Sequence, residues 1–372
     1  MLAAAHAARS RRNVGTNTAP ARRFGVRCGN VPPSPRPSAS PRPRPDEAPP
    51  RRPVGPSDDD PRLRPALRRC AELTRRHSKT FALGARLFPP AQRAAVTAVY
   101  AVCRTGDDAV DEAPDPRTAA ARLDAWWAGV EAVYDDRPDL NDPLQCALAW
   151  TVARWEVPLS AFAELREGLN TDLRQDARPG EAQVRTVDEL LLYCHRVGGV
   201  IGAMIVPIAG HRDPERALPD AWALGQAMQL TNVLRDVGED LRERDRCYLP
   251  QEWMDRYGVD RETLRRGELN EGYVALLDRL AGVADDLYAR GWRSIPGLHG
   301  RAAYAVGLAA LSYQGIGDAL RRNGHDNLRR RAHLSGPARL ARVPGTVLRV
   351  QRGRLRRGCP FASTTGDAGG SS

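Results

Sequence analysis

Two short stretches of this chain carry oxygen ligands at helical spacing. In Gln229–Asp240, Asn232, Asp236 and Asp240 recur every four residues and would stack on one helix face, with Gln229 one turn ahead. Leu230, Val233, Leu234 and Val237 make much of the remaining surface apolar. In Tyr100–Glu112, Asp107 and Asp111 repeat that spacing, Arg104 precedes them by a turn, and Val96, Val99, Val102 and Val110 flank them. Carboxylates four residues apart repel by roughly 0.2–0.5 kcal/mol on an exposed helix, and by more in a groove where they lose hydration. Acidic rows set in apolar sequence therefore call for a cation. The ligands are all oxygen, with no His or Cys, which selects Mg²⁺, with Mn²⁺ and then Ca²⁺ behind it. Mg²⁺ held by a few carboxylates keeps positions open for a diphosphate. The plainer alternative, two solvated acidic faces, fits the apolar flanks poorly.

Other stretches carry weaker signals. His77-Ser-Lys-Thr-Phe81 precedes Leu83 and Leu87 and reads as a helix N-terminus, where free N–H groups bind phosphate. His77, Ser78 and Lys79 would add donors there, and an ordinary capped helix start accounts for them equally well. After Asp240, Arg242, Arg244 and Arg246 alternate with acids up to Tyr248-Leu-Pro250. This reads as a mobile loop whose arginines close over phosphates, or as a solvated charge run. Gly198, Gly199 and Gly202 lie in an apolar helical run. Each costs about 1 kcal/mol relative to Ala, so close approach of another helix or of a bulky chain is implied. Tyr193 lies just upstream with its hydroxyl available, and His195 reads as packed or surface. Asn170 and Asp172 read as the surface end of an amphipathic helix. Tyr313 sits on an apolar stretch and faces either a cavity or the core.

The elements that must position these groups are helical. The chain has 372 residues and is 42% apolar, enough for a substantial core. Its formal charge of +11 resides in the ends. Residues 1–60 hold eleven arginines and five acids, and 336–372 hold seven and one, which leaves 38 basic and 39 acidic residues for 61–335. A near-neutral centre argues against nucleic-acid binding, while basic ends suit anionic lipid. Lys79 is the only lysine, and the Arg, Ala, Pro and Gly richness fits GC-rich coding. From Pro61 to Ser335 apolar residues recur at three and four, with Pro and Gly breaks every 15–30 residues or so. About ten or more helices in one all-α domain are expected, with no solenoid repeat. Residues 1–60 read as a disordered Pro/Arg-rich tail. A transit peptide would look similar, but the Pro-Arg repeats form no amphipathic helix, so a tail or a misassigned start is favoured. Residues 336–372 read as a basic tail, disordered or lying as a weak helix on a membrane surface. The seven cysteines are scattered without metal spacing and read as core residues of a reduced, cytoplasmic protein. No run of 18 uncharged apolar residues occurs, so no spanning helix is expected.

Together these features suit metal-assisted ionisation of an allylic diphosphate. Mg²⁺ would neutralise the leaving group, and Arg104, Arg235 and Lys79 would stabilise its oxygens. The carbocation needs a dry pocket. No nucleophilic triad is required, and none is evident.

The chain resembles the squalene/phytoene synthase family from about Arg76 to Ser335. The carrying motifs are His77–Phe81 with Leu87-Phe-Pro-Pro90, Tyr100–Glu112, Tyr193-Cys-His-Arg-Val-Gly-Gly199, Gln229–Asp240 with Tyr248-Leu-Pro250, and Arg322-Asn-Gly-His-Asp326. The resemblance implies an isoprenoid-synthase-type helical bundle around a central cavity. It implies Asp107, Asp111, Asn232, Asp236 and Asp240 as the Mg²⁺ site, with Asp108 in or behind it. It implies contacts to substrate or diphosphate from His77, Ser78, Lys79, Arg104, Gln229, Arg235 and Tyr248. Tyr193 and Tyr313 would line the site where a cyclopropyl intermediate forms and rearranges. The second acidic motif is most similar to phytoene synthases, which join two geranylgeranyl diphosphates through prephytoene diphosphate without NADPH.

Alternatives are dehydrosqualene, squalene or hydroxysqualene synthases acting on farnesyl diphosphate, a class I terpene cyclase, or an inactive assembly protein. The Asn232/Asp236/Asp240 pattern with its Tyr-Leu-Pro tail disfavours the cyclase, and the full set of carboxylates disfavours inactivity. Two departures from the family pattern stand out: Gly106 replaces a bulkier residue, and Asp245 stands where Gly is frequent. The expected partners are prenyl diphosphates, a membrane surface and a desaturase that receives the product. Nucleic acid is not among them.

Overall fold

The computed structural model describes residues 53–182 and 184–356. The expected tail over 1–52, and the part of the C-terminal tail from 357 onward, lie outside the described residues. The described chain is all-α: it has no strand, and its single isolated β-bridge joins His211 to Leu298.

Helix ends follow from local sequence. Proline opens α3 (Pro90–Asp111), α4 (Pro116–Tyr134), α5 (Pro143–Val152) and α9 (Pro214–Arg244), where its missing N–H costs nothing. Asp115, Asp142 and Asp213 cap three of these by accepting from backbone N–H groups. Thr186 and Glu189 form a reciprocal capping box at α7 (Val187–Cys194).

Around these lie α1 (Leu63–His77), α2 (Lys79–Ala85), α6 (Leu159–Ala177), α8 (Val200–Ala209) and α10 (Gln251–Tyr257). The chain continues with α11 (Arg261–Arg265), α12 (Glu271–Gly291), α13 (Ala302–Arg322), α14 (Gly336–Leu340) and α15 (Val343–Arg356). A π-helical turn, His195–Gly199, joins α7 to α8.

The 31-residue α9 is the hub and packs on α12, α13, α8 and the π turn. It is buried on almost every side from Ala223 to Gly238. The crossing with the π turn is a backbone contact: a Cβ on Gly225 would sit 2.2 Å from the Gly198 carbonyl oxygen, and one on Gly198 2.5 Å from that of Gly225. The implied close approach at Gly198 is therefore helix to helix.

Two boundary expectations are corrected. Order begins before Pro61: Trp150 Nε1 donates to Asp58 Oδ1 at 2.9 Å, and the Val54 amide donates to Asp136 at 2.6 Å. At the other end, 336–356 is not a disordered tail, and the helical unit runs past Ser335. Thr346 and Val350 are buried, Arg349 lies 3.9 Å over the Trp292 ring, and Arg354 donates to the carbonyls of Leu298 and Gly300. The arginines that read as tail charge act as clamps on backbone carbonyls and aromatic rings. Finally, Val187–Ala209 is long and apolar enough by composition to cross a membrane. His195 and Arg196 interrupt it, so a count of uncharged residues misses it. It is packed mainly inside the bundle, 67% buried over the apolar window.

Cys70, Cys103, Cys146, Cys194 and Cys247 are free and buried, as read from the sequence.

Candidate active site

The acidic rows of α3 and α9 face one polar hollow of ≈ 1180 Å³. From α3 come Arg104, Asp107 and Asp111, and from α9 come Gln229, Asn232, Asp236 and Asp240. His77 at the end of α1, Tyr193 of α7 and Tyr248 beyond α9 complete the sequence-expected lining. Helical repeat explains the convergence, since residues four apart share a face. Beneath lies a second hollow of ≈ 840 Å³ with apolar walls: Phe81 and Gly84 of α2, Ile201 and Ile205 of α8, Leu224 and Met228 of α9, and Ala305 and Ala309 of α13. The two adjoin at the glycine crossing, where Val197 faces the polar hollow and Gly198 the apolar one.

The structure draws a dense charge network through the polar hollow. Arg104 pairs with Asp107 at 3.1 Å and with Asp108. Both oxygens of Asp236 are taken twice, by Arg235 at 2.6 and 2.5 Å and by Arg331 at 2.8 and 3.0 Å. Arg331 also reaches Glu239 at 3.1 Å. Arg246, buried, bridges Asp176 at 2.6 Å and Asp111 at 2.9 Å. Asp172 accepts from the Tyr248 hydroxyl at 2.6 Å and from that of Tyr193 at 3.4 Å. The two tyrosine rings stack with centroids 4.7 Å apart.

Burial governs the electrostatics. It raises the Asp107 carboxyl to about 8, with Asp111 adding to the effect and Arg104 opposing it. It raises Asp240 well above the usual carboxylate range, with Asp236 next in influence. Asp172 rises to about 6, again through burial. The phenols of Tyr193 and Tyr248 are also pushed up by burial, so both stay protonated near neutrality.

Several expected residues stand outside the lining. Asp108 faces a separate groove with Trp126 and Arg122, because one residue along a helix turns the side chain by about 100°. Of the two places the sequence allowed it, in the ligand row or behind it, the structure puts Asp108 behind, paired with Arg104. Ser78 accepts from the Phe81 amide as the cap of α2, and Lys79 is exposed. The α2 terminus therefore follows its plain reading. Arg235 is buried on Asp236. Tyr313 is near Arg235 and Asp236, and burial raises its hydroxyl.

The loop after Asp240 is not loose. Arg246 and Arg244 both hold Asp111, while Arg242 donates to the Leu328 carbonyl. Asp245 adopts a left-handed backbone, φ 51°, and pairs with Arg261 and Arg265 at 3.0 and 2.6 Å. Glycine suits that geometry, and here two ion pairs hold Asp instead. Gly106 also has a partner, because a Cβ there would lie 2.7 Å from the Trp126 ring.

Sequence reasoning missed Asp172 and Arg331. Asp172 is 5% exposed and is not a surface helix end. Leu165, Leu169 and Asp172 share one helix face, and that spacing was the available signal. Arg331 sits in a run of three arginines without periodicity, and nothing local marks it.

Among the described residues no three His, Cys, Asp or Glu side chains form a ready-made metal cluster. The donor set nonetheless fits a divalent cation. Asn232 Oδ1 is buried without a hydrogen-bond partner, and Asp107 and Asp240 carry charge that burial disfavours. Added positive charge relieves both. Mg²⁺ takes one or two carboxylates plus substrate phosphates, so a complete protein cage is not required.

A model of the squalene/phytoene synthase family matches residues 74–338. The phytoene synthase of Thermus thermophilus is 47% identical over 288 residues, which span 77% of this chain and 94% of that protein. The 15-cis-phytoene synthase of Synechococcus elongatus is 33% identical over 309 residues, 80% of this chain and 97% of that protein. The crystal structure of a dehydrosqualene synthase superposes with TM-score 0.69 at 27% identity, covering 78% of this chain and 98% of that one. That of the squalene synthase HpnC from Alicyclobacillus acidocaldarius gives 0.63 at 27% identity, covering 71% and 95%.

Proposed function

The chain belongs to the squalene/phytoene synthase family, and from that membership we infer its reaction. It is a prenyltransferase that condenses two geranylgeranyl diphosphates head to head into phytoene, through prephytoene diphosphate, with release of diphosphate. The observation that carries this is the 47% identity to a phytoene synthase over 94% of that protein. Condensation of farnesyl diphosphates fits less well, because the relatives bearing squalene-type names are the more distant solved structures at 27% identity. Like its family, the enzyme depends on a divalent metal.

We assign that metal as Mg²⁺, held by Asp107, Asp111, Asn232, Asp236 and Asp240. When bound, it supplies charge neutralisation to the departing diphosphate. The chain's own residues do the rest. Arg104 and Gln229 face the polar hollow and orient diphosphate oxygens. Arg331 and Arg235 together occupy all four acceptor positions of the Asp236 carboxylate, so one guanidinium gives way when the metal binds. The apolar hollow takes the prenyl chains and excludes water from the allylic cation. The Tyr193 and Tyr248 hydroxyls keep their protons and point them at Asp172, so no phenolate stands beside the cation as a nucleophile. The reading also has the enzyme in the cytoplasm at a membrane surface, passing its product to a desaturase.

Incubation of the purified chain with labelled geranylgeranyl or farnesyl diphosphate, with and without Mg²⁺, tests the reaction. A C40 hydrocarbon from the former, only with metal, is expected. A C30 hydrocarbon from the latter alone would overturn the substrate assignment. A cyclic product from one prenyl chain would overturn the reaction class.

A further inference from the structure

The Asp236 carboxylate is fully engaged. Arg235 donates to its two oxygens at 2.6 and 2.5 Å and Arg331 at 2.8 and 3.0 Å, so a cation that binds there must displace a guanidinium. The two arginines differ in what they can give up. Arg235 is the neighbouring residue on α9, its side chain is 6% exposed, and its bonds are the shorter pair. Arg331 reaches in from the connection between α13 and α14, and its side chain is 29% exposed. It already touches a second carboxylate. Its Nε lies 3.1 Å from Glu239 Oε2, and its Nη1 donates to Glu239 Oε1 at 3.4 Å.

Glu239 has acceptor capacity to spare. Its Oε2 is buried and receives no hydrogen bond among the described residues, because the Arg331 Nε–H beside it is directed to Asp236 Oδ1. Asp236 and Glu239 are three residues apart on α9 and therefore neighbours on its surface. The backbone leading to Arg331 is pinned, so only the side chain has to turn. The Leu328 carbonyl accepts from Arg242 and is pressed against Gly238, which leaves no room for a Cβ there. Asn327, buried, donates to the Leu234 carbonyl and accepts from the Tyr273 hydroxyl at 2.6 Å.

We propose that Glu239 is a positioning residue for metal loading: it receives the Arg331 guanidinium when a divalent cation takes that guanidinium's place on Asp236. The side chain turns so that the Nε–H bond passes from Asp236 Oδ1 to Glu239 Oε2, and the lone pairs that Arg331 held on Asp236 fall to the cation. Without Glu239 the released guanidinium would stand half-buried and unpaired, and an unpaired buried charge opposes release. Glu239 thus makes room for the metal without being its ligand. That role rests on the reading of Asp236 as a metal ligand.

The full chain is titrated with Mn²⁺ alone, and bound metal is read from the loss of the free-ion EPR signal, with no turnover involved. Wild type is compared with Asp236→Asn, Glu239→Gln, Glu239→Asp, Arg331→Met and the Glu239→Gln/Arg331→Met pair, and thermal melts in chelator check that each folds. Glu239→Gln should weaken Mn²⁺ binding about tenfold or more, and Glu239→Asp, which keeps a receiving carboxylate, should retain most of the affinity. Arg331→Met removes the competing guanidinium and should bind Mn²⁺ more tightly than wild type. In that background Glu239→Gln should change affinity by no more than about twofold. An equal loss from Glu239→Gln in both backgrounds would make Glu239 a ligand and overturn the proposal. Unchanged or weaker binding by Arg331→Met would overturn it as well, and that arm needs no change at Glu239. Wild-type affinity in Asp236→Asn would instead remove the metal-site reading, and the exchange with it.

Discussion

At the residue scale, the site is built from carboxylates held in an unfavourable state. Asp107 is raised to about 8 from an ordinary 3.8, and Asp172 to about 6. The folded chain then holds more protons than the unfolded chain between pH 3.8 and those values. Its stability falls as pH rises through that window. The metal-free protein is therefore expected to melt lower at pH 8 than at pH 6. Asp107→Asn should flatten that slope, and a divalent metal should restore stability at the higher pH. Thermal melts in chelator check this, and a metal-free melting curve indifferent to pH would contradict it. Asn232, Asp236 and Asp240 were legible because periodicity places them together whatever the tertiary fold. Asp172 and Arg331 were not, because burial and a long-range partner give them their roles. Asp108 shows the limit of reading a motif as a block: its neighbour lines the hollow, and it does not.

At the scale of elements, α9 and the π turn set the distance between the acidic rows and the apolar chamber. The glycines at 198 and 225 let their backbones touch, so the crossing is a fixed spacer. Gly225→Ala gains up to about 1 kcal/mol of helix propensity, but its Cβ would lie 2.2 Å from a carbonyl oxygen. Overpacking of that kind costs roughly 1–3 kcal/mol or more. A net loss of stability in denaturant titration is expected, together with reduced turnover. A variant as stable and active as wild type would show that the crossing has slack. Sequence reading marked Gly198 as a close-approach position but could not say to what, and it did not single out Gly225. At α15 the sequence read as a basic tail, disordered or weakly helical, and only the packed structure shows which arginines clamp it down.

At the scale of the whole molecule, the division of labour is between a polar chamber that handles diphosphate and an apolar chamber that handles hydrocarbon. The all-α class of the bundle was legible from helical periodicity and Pro/Gly breaks. Its ends were not, because Gly55 against Ala149 and Arg354 on the carbonyls of Leu298 and Gly300 are contacts across the fold. Pyrophosphate binding, followed by calorimetry with and without Mg²⁺, isolates the polar chamber from the rest of the chemistry. Asp240→Asn replaces a half-buried carboxyl whose ionised form burial disfavours, so it should fold at least as stably as wild type while losing catalysis by about a hundredfold or more. The decisive comparison is pyrophosphate titrated into wild type and Asp240→Asn. Binding that needs Mg²⁺ and is lost in the folded variant is the predicted result, and Mg²⁺-independent or undiminished binding in the variant would contradict the account.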